Sequence, residues 1–298
     1  VEEAEDSSFA GAARVVATDP IASFSHPVSS SKTYYYRVVA KAPCGPQTLA
    51  SPLSNVAATR VEPPPPPAPM GEPLYVPAAA HTSGVKGSQW RTDISLYNPG
   101  AESVGYTVEL LQDGATSTGE TRGFSLPAGQ AVAHTDILSS VFGISGVAAL
   151  RIGSEGALVV SGRTYNQTAQ GTFGQLIRAK RQGDAARAGE IQRLFPLASS
   201  ATRDRGFRTN LGFVNPSAVE VVIEASLYRG NGARVATQIY TLKPGAFVQV
   251  TDVFGKAGAG DVEAGYAEIV TTTPDGAFFA YASVIDNISG DPLYIAAR

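Results

Sequence analysis

Four stretches of the sequence occur twice between residues 73 and 298, in the same order and at a near-constant spacing of 116 to 120 residues. The most distinctive stretch is an aromatic residue, Arg-Thr, then Asp or Asn, a strand-like run and an Asn-Pro turn. The matched pairs are Trp90–Pro99 with Phe207–Pro216, Val108–Ala115 with Ala225–Ala233, Leu126–Asp136 with Leu242–Asp252, and Ala148–Val160 with Ala267–Ala280. Matches in a fixed order at a fixed offset indicate an internal duplication. The sequence therefore predicts two homologous domains in tandem.

The repeated region has the composition and spacing of an all-β protein. Glycine (31) and proline (20) are plentiful, and charged residues make up only 16% of the chain. Val, Thr, Tyr and Phe recur in short runs bounded by Gly, Pro, Asn and Asp. Each copy holds seven or eight predicted strands with turn signals about every 8–12 residues, which is the spacing of a β-sandwich. We predict repeat one at 73–179, a polar linker at 180–192 and repeat two at 193–298, with short helical turns at 137–142 and 253–257.

A different pattern precedes the repeats. Residues 33–40 alternate as a strand with Tyr34 and Tyr36 on one face, and Ser51–Thr59 is interpreted as a final strand whose Pro52 favours a sheet edge. These Tyr-x-Tyr-x-Val-x-Ala and Ser-Pro-x-Ser-Asn-x-x-x-Thr patterns resemble the C-terminal two-thirds of a fibronectin type III domain. The resemblance implies that Tyr34 forms the tyrosine corner of that family.

The resemblance covers residues 1–61, fewer than the roughly 90–100 residues of a whole domain of this kind. We therefore expect a truncated fibronectin-like sandwich, either processed from a longer protein or completed by a neighbouring molecule. The opening residues Val1–Asp6 accordingly favour the middle of a longer chain. The run Pro63–Pro69 predicts a semi-rigid polyproline linker across residues 62–72.

Charge and apolar content exclude several partner classes. A net charge of -3 and a pI near 5.7 give no reason to expect a nucleic-acid partner. No apolar stretch is long enough to predict a membrane span. The single cysteine, Cys44, cannot form an internal disulfide. One Cys and one Met in 298 residues are compatible with a secreted protein that avoids oxidisable side chains.

The residue types and motifs that enzymes commonly use for catalysis are scarce in this sequence. The three histidines, His26, His81 and His134, fall in different segments, and no Gly-x-Ser-x-Gly occurs. His134 lies two residues from Asp136, yet no nucleophile accompanies the pair. We predict no catalytic residue and no cofactor, and the chain is not expected to be an enzyme.

Calcium is the one metal that the sequence leaves open, because oxygen ligands are abundant. Asp93, Asp136 and Asp252 lie at turn-like positions, but no Asp-x-Asp-x-Asp series occurs. Aspartates that cap turns or helix starts explain these positions better.

The aromatic-Arg element supplies the predicted interaction residues, Trp90 and Arg91 in repeat one and Phe207 and Arg208 in repeat two. One hypothesis makes them an exposed platform for a sugar or a partner chain. The other, which we favour, has the rings plugging one end of each sandwich while the arginines pair with Asp93 or other carboxylates.

Two Asn-x-Ser/Thr sequons occur at nearly equivalent positions before the last strand of each repeat. They begin at Asn166 and Asn287, which are the candidate glycosylation sites.

Further residues of the repeats resemble a module found at the C-terminal end of secreted multidomain bacterial proteins. They are Val76–His81, Gln89–Asp93, Asn98–Gly100, Ser161–Asn166 and Gly171–Gln175. The resemblance implies an extracellular or cell-surface location and no particular chemistry. Repeat two departs from the pattern, since it has Ala282–Asp286 where repeat one has Gly162–Asn166.

These observations predict a non-enzymatic extracellular structural or adhesive protein, a self-assembling surface or filament subunit. Open strand edges or the incomplete N-terminal block would make the contacts, and the segment Glu72–Ala80 could add a strand to a neighbour. The partner is then another copy or a cell-surface or carbohydrate ligand. The alternative is an accessory C-terminal region of a secreted hydrolase that binds carbohydrate or acts in sorting. An exposed row of aromatic residues would favour that alternative, and their burial would favour assembly.

Overall fold

The computed structural model describes residues 1–10, 14–15, 32–39, 41–44, 47–54, 56–61, 71–112, 114 and 119–298. The described chain is all-β and built from antiparallel sheets, which confirms the predicted fold class. It divides into two compact units, Val1–Pro66 and Pro67–Arg298, so both repeats lie in the second unit. No helix in the described ranges is long and apolar enough to cross a membrane.

The first unit contains a four-stranded sheet and a separate hairpin. Its strands are β1 (Glu2–Ala4), β2 (Arg14–Val15), β3 (Lys32–Arg37), β4 (Lys41–Cys44), β5 (Gln47–Ala50) and β6 (Ala57–Val61). The sheet order is β2-β1-β3-β6, and β4 pairs with β5. Tyr34 is buried in β3, as its alternating pattern predicts; its role as a tyrosine corner stays a prediction.

Two strand predictions in this unit were wrong at their ends. The first strand ends at Arg37 and not at residue 40, and the last runs Ala57–Val61 and not 51–59. Residues 51–54 are exposed and lie outside any strand. Pro52 has no N–H to contribute to a strand ladder, which is why the pairing starts later in the sequence.

Repeat one is a sandwich of two four-stranded layers. Its strands are β7 (Leu74–Ser83), β8 (Gln89–Tyr97), β9 (Val104–Gln112), β10 (Thr121–Leu126), β11 (Ala131–His134), β12 (Gly146–Ser154), β13 (Val159–Thr168) and β14 (Gly171–Arg178). One layer has the order β10-β9-β12-β7 and the other β11-β8-β13-β14. The end of β7 crosses over to pair with β8, where Thr82 faces Trp90 across the ladder. A short helix α1 (Ile137–Ser140) confirms the predicted helical turn.

Repeat two has the same strand order. Its strands are β17 (Gln192–Ser199), β18 (Phe207–Val214), β19 (Val221–Tyr228), β20 (Arg234–Leu242), β21 (Phe247–Val250), β22 (Val262–Thr271), β23 (Ala277–Asp286) and β24 (Pro292–Ala296), with α2 at Val253–Lys256. Its layers are β20-β19-β22-β17 and β21-β18-β23-β24. Strand by strand, these orders match those of repeat one.

The Asn-Pro turn of the duplication has a structural reason. The buried Asn98 donates from Nδ2 to the backbone carbonyls of Glu102 and Leu126 at 2.8 and 2.9 Å. Asn215 makes the matching two bonds in repeat two, also at 2.8 and 2.9 Å. Each amide therefore ties together two loop segments whose carbonyls would otherwise be buried without donors.

The segment predicted as a polar linker pairs with both repeats. It contains β15 (Lys180–Arg181), a 3-10 turn at Gln182–Asp184 and β16 (Ala186–Arg187). Strand β15 pairs with β7 of repeat one, and β16 pairs with β23 of repeat two. The linker is thus part of the sheets, because its backbone N–H and C=O groups are used in two ladders.

The two repeats also share a hydrophobic core. Val214, Phe247, Phe279 and Tyr281 of repeat two belong to the core cluster of repeat one. The ring centroids of Tyr75 and Phe279 lie 5.3 Å apart across the junction. An aromatic contact of this kind adds to the free energy gained by burying the apolar area itself.

This junction explains why repeat two departs from repeat one in sequence. Strand β8 alternates between buried residues and residues that are half-buried or exposed, as a one-sided sandwich strand does. Strands β18 and β23 are buried along almost their whole length. One face lies on the core of repeat two and the other is covered by repeat one. A strand that is buried on both faces is apolar without alternation, as in Ala277–Ile285.

Candidate ligand-binding cleft between the repeats

A cleft of about 360 Å³ remains where repeat one covers the outer face of β18 and β23. Part of its wall in repeat one is apolar and consists of Ala78, Ala79, Ala80, Trp90 and Val147. Small alanine side chains on β7 leave the space, because they cannot reach the opposite sheet. The volume lies within the range of small-molecule sites in proteins.

The opposite side, in repeat two, is polar. The Tyr281 hydroxyl donates to Gln249 Oε1 at 2.7 Å. Gln175 reaches in from β14 of repeat one, and its Nε2 donates to Ser283 Oγ at 3.4 Å. Gln175 is only 8% exposed, and its Oε1 has no hydrogen-bond partner. A buried acceptor without a donor costs about 1–3 kcal/mol.

Two arginines supply positive charge to the cleft. Arg203 forms an ion pair with Asp252 at 2.5 Å, while its buried Nη1 has no partner. Arg208 is 7% exposed and donates from Nη1 to Asn287 Oδ1 at 3.0 Å. It has no ion-pair partner among the described residues. Burial, together with the nearby Arg203, lowers the pKa of Arg208.

The structure separates the four predicted interaction residues. Trp90 of repeat one and Arg208 of repeat two line the same cleft, whereas Arg91 and Phe207 are outside its lining. Trp90 is 8% exposed and packs with Ala80 and Ile285, so it is not an open platform. Phe207 is 43% exposed and so does not plug repeat two in the way that we expected from its match to Trp90.

The arginines of the repeated element also differ in their partners. Arg91 Nε lies 3.4 Å from Asp136 Oδ2, so it pairs with a carboxylate other than Asp93. In repeat two, Asp252 is paired with Arg203 and not with Arg208. Arg91 and Arg208, although they match in the repeat, therefore have different partners, and the partner of one does not predict that of the other.

Asp136 and Asp252 precede α1 and α2, as the capping interpretation expects, but their side chains make no cap hydrogen bond. Both residues have a left-handed backbone conformation, with φ of 46° for Asp136 and 52° for Asp252. His81 Nδ1 lies 2.8 Å from both carboxylate oxygens of Asp136. The carboxylates are thus used in ion pairs. No cluster of three His, Cys, Asp or Glu side chains suited to a metal occurs in the described ranges.

The histidine closest to Asp136 in sequence is not its partner. His134 Nε2 lies 2.8 Å from the Tyr106 hydroxyl and packs on the Phe124 ring. Burial lowers the pKa of His134. Asp136 instead pairs with His81, which is far away in sequence, and His26 lies outside the described residues.

Neither sequon presents an accessible asparagine. Asn166 and Asn287 are both 3% exposed. Asn166 accepts from the Gln89 N–H at 2.8 Å and donates to Ser289 O at 3.2 Å. Asn287 accepts from Arg208 and donates to Arg205 O at 2.9 Å. A glycan on either Nδ2 has no room at these buried positions, so the folded structure argues against the glycosylation hypothesis.

Two residues of the cleft, Gln175 and Arg203, were not predicted from the sequence as site residues. Gln175 lies on the last strand of repeat one, and its role depends on contact with the other repeat. Arg203 lies in the loop between β17 and β18, outside the four matched stretches that indicate the duplication. The run Ala277–Ile285, apolar except for Ser283 and the Tyr281 hydroxyl, was the one available sign, since it marks a strand covered on both faces.

No protein family model matches the chain, and no curated protein matches it in sequence. A Thermotoga maritima protein is 9% identical with a TM-score of 0.32, over 38% of this chain and 96% of that one. The α-L-rhamnosidase of Streptomyces avermitilis, complexed with L-rhamnose, is 13% identical with a TM-score of 0.19, over 98% of this chain and 36% of the enzyme. A protein of the T13 IBDV viral particle is 10% identical with a TM-score of 0.20, over 90% of this chain and 72% of the viral protein. Likenesses this weak carry no argument about function.

Proposed function

We propose that the chain is a non-enzymatic extracellular structural or adhesive protein in which the two repeats act as one rigid unit. The shared core at the junction carries this proposal. Tyr75 of repeat one and Phe279 of repeat two are buried against each other. Strands β15 and β16 tie the linker to both sandwiches. Tandem domains joined by a free linker reorient under load, whereas domains with a common core do not.

Open sheet edges support assembly as the mode of action. Strand β20 ends its layer and pairs only with β19 in the described structure. Its outward Ile239 is 58% exposed. A free edge with an exposed apolar side chain is suited to strand pairing with another copy. The segment Glu72–Ala80 does not serve as a donated arm, because Leu74–Ser83 is β7, paired with β12 inside the same repeat.

Light scattering and electron micrographs of the full chain test the assembly. We expect concentration-dependent oligomers or filaments, and we expect Ile239→Lys on the edge strand to suppress them. Val222→Lys is the matched control, because Val222 is 44% exposed in the same sheet but on the interior strand β19. A monodisperse monomer at high concentration would contradict assembly, and equal effects of the two variants would exclude an edge contact.

The truncated fibronectin-like character of residues 1–61 and the extracellular location belong to the same proposal. The buried Tyr34 in the middle of a four-stranded sheet supports the first. The scarcity of Cys and Met supports the second.

The second candidate function is ligand binding, as in an accessory C-terminal region of a secreted hydrolase that takes carbohydrate. The cleft between the repeats favours it, since Trp90 and several polar side chains converge there. A single tryptophan beside hydroxyl and amide groups suits a small polar ligand with an apolar face. Titration of the full chain with small sugars, followed by the fluorescence of Trp90, tests binding at the cleft.

A further inference from the structure

The charges that line the cleft do not balance. Arg203, Arg208 and Asp252 are its charged lining residues, and Asp252 is already paired with Arg203. Asp286 acts on Arg208 from a distance, but its Oδ1 accepts from the Ile288 and Ser289 N–H groups of the adjoining turn. A buried guanidinium without an anionic partner is costly to keep. An anion in the cleft would remove that cost.

Two further atoms lack partners in the same place. Arg203 Nη1 is a buried donor without an acceptor, and Gln175 Oε1 is a buried acceptor without a donor. Most buried polar atoms in proteins are hydrogen-bonded, so two unpaired atoms of opposite kind at one cleft call for a ligand that satisfies both. Such a ligand must both accept and donate hydrogen bonds. Chloride and sulfate, which carry no O–H group, meet only the first need.

The apolar part of the cleft wall indicates that part of the ligand is hydrocarbon. Ala78, Ala80, Val147 and Ile285 surround Trp90 with apolar surface. The mouth is formed by the exposed residues Ser83, Gly84 and Val85. A ligand can therefore enter at this loop and lay carbon atoms against the tryptophan side.

We propose that the cleft binds a small hydroxylated organic carboxylate, whose carboxylate faces Arg203 and Arg208 and whose hydroxyl donates to Gln175. A uronic acid is the sugar of this class. The inference rests on the second function proposed above, ligand binding, and specifies its ligand. Arginine suits the carboxylate because its planar donors match two oxygens at once.

Fluorescence of the full chain gives a direct readout, because Trp90 is the single tryptophan and lines the cleft. The probes are D-glucuronate, D-glucose as its neutral counterpart and acetate as a carboxylate without hydroxyls. We expect saturable change with glucuronate and much weaker responses to the other two. Arg208→Met and Gln175→Leu should each weaken glucuronate binding about tenfold or more. Arg234→Met, at an exposed position on β20, is the control and should bind normally.

The outcomes separate the ligand class from the function. Equal responses to glucuronate and glucose would overturn the anion assignment while carbohydrate binding stands. Equal responses to glucuronate and acetate would overturn the hydroxyl contact at Gln175. Lack of a saturable response to all three probes would overturn both this inference and the second proposed function.

Urea unfolding in the absence of ligand checks whether Arg208 serves ligand binding or stabilises the fold. Arg208→Met removes the cost of a buried charge without an anionic partner, and this offsets the loss of its hydrogen bond to Asn287, so stability should stay unchanged or rise. We therefore expect Arg208→Met to unfold at the same or a higher urea concentration than the parent chain. A clear drop would identify the guanidinium as structural support through Asn287 and would overturn the proposal.

Discussion

Asp93 Oδ1 accepts a hydrogen bond from the backbone N–H of Asp136 at 2.9 Å. In repeat two, Asn210 Oδ1 does the same for Asp252 at 3.0 Å. The fourth residue of the aromatic-Arg-Thr element therefore holds the left-handed residue that precedes the short helix. An acceptor oxygen is what both copies need at this position, and this explains why Asp and Asn alternate there.

Asp93→Ala should destabilise the protein by about 1–3 kcal/mol, because it leaves the Asp136 N–H without its acceptor. Asp93→Asn should retain most of the stability, since Asn210 fills the same role in repeat two. Urea unfolding of both variants checks this. Equal losses in the two variants would show that the charge of Asp93, and not its acceptor oxygen, matters.

Asn215→Ala should cost about 2–3 kcal/mol, since it removes the amide that donates to the backbone carbonyls of Val219, Leu242 and Lys243 in a buried turn. Asn231→Ala is the control, because Asn231 is exposed and accepts one N–H in a surface turn. Its effect should stay within about 0.5 kcal/mol. Similar unfolding midpoints for the two variants would contradict the role given to the Asn-Pro turn.

Gly212→Ala should disturb the junction between the repeats. Gly212 and Tyr281 face each other across β18 and β23, and an added Cβ would overlap the tyrosine ring. We expect a loss of about 1–3 kcal/mol from overpacking. Gly123→Ala, also in a strand but with open space around it, should be nearly neutral. Thermal unfolding of both variants measures the difference, and a neutral Gly212→Ala would mean that the Tyr281 ring is free to move.

Acidification should weaken the fold through His134. Burial lowers its pKa below the ordinary value of about 6.5, so the folded state favours the neutral ring. The stability that neutral His134 contributes is fully present above about pH 6.5. It is lost as the pH falls through the lower pKa of the folded state, because the unfolded chain binds the proton first. His134→Gln cannot titrate and should lose less stability between about pH 7.5 and about pH 5. Urea midpoints at both pH values check this, and parallel losses would exclude His134 as a source.

The sequence by itself determined the all-β class, the duplication, the helical turns after Thr135-Asp136 and Thr251-Asp252, and the burial of Tyr34 in an alternating strand. These features are local, because a period of two and a turn residue depend on neighbours in the chain. The strand ends in the first unit were missed by several residues, since Pro52 and the exposed segment around it fit a loop as well as an edge strand.

Only the tertiary structure decided what the matched residues do. Trp90 is buried and Phe207 is exposed, although they occupy the same place in the repeat. The physical reason is the contact by which repeat one covers the outer face of β18 and β23. Trp90 packs there against Ile285, whereas Phe207 lies outside the lining of the cleft. That contact is between residues more than a hundred positions apart, such as Gln175 and Ser283. It buries Arg208 and leaves the cleft, and its one trace in the sequence is the largely apolar run Ala277–Ile285 of repeat two.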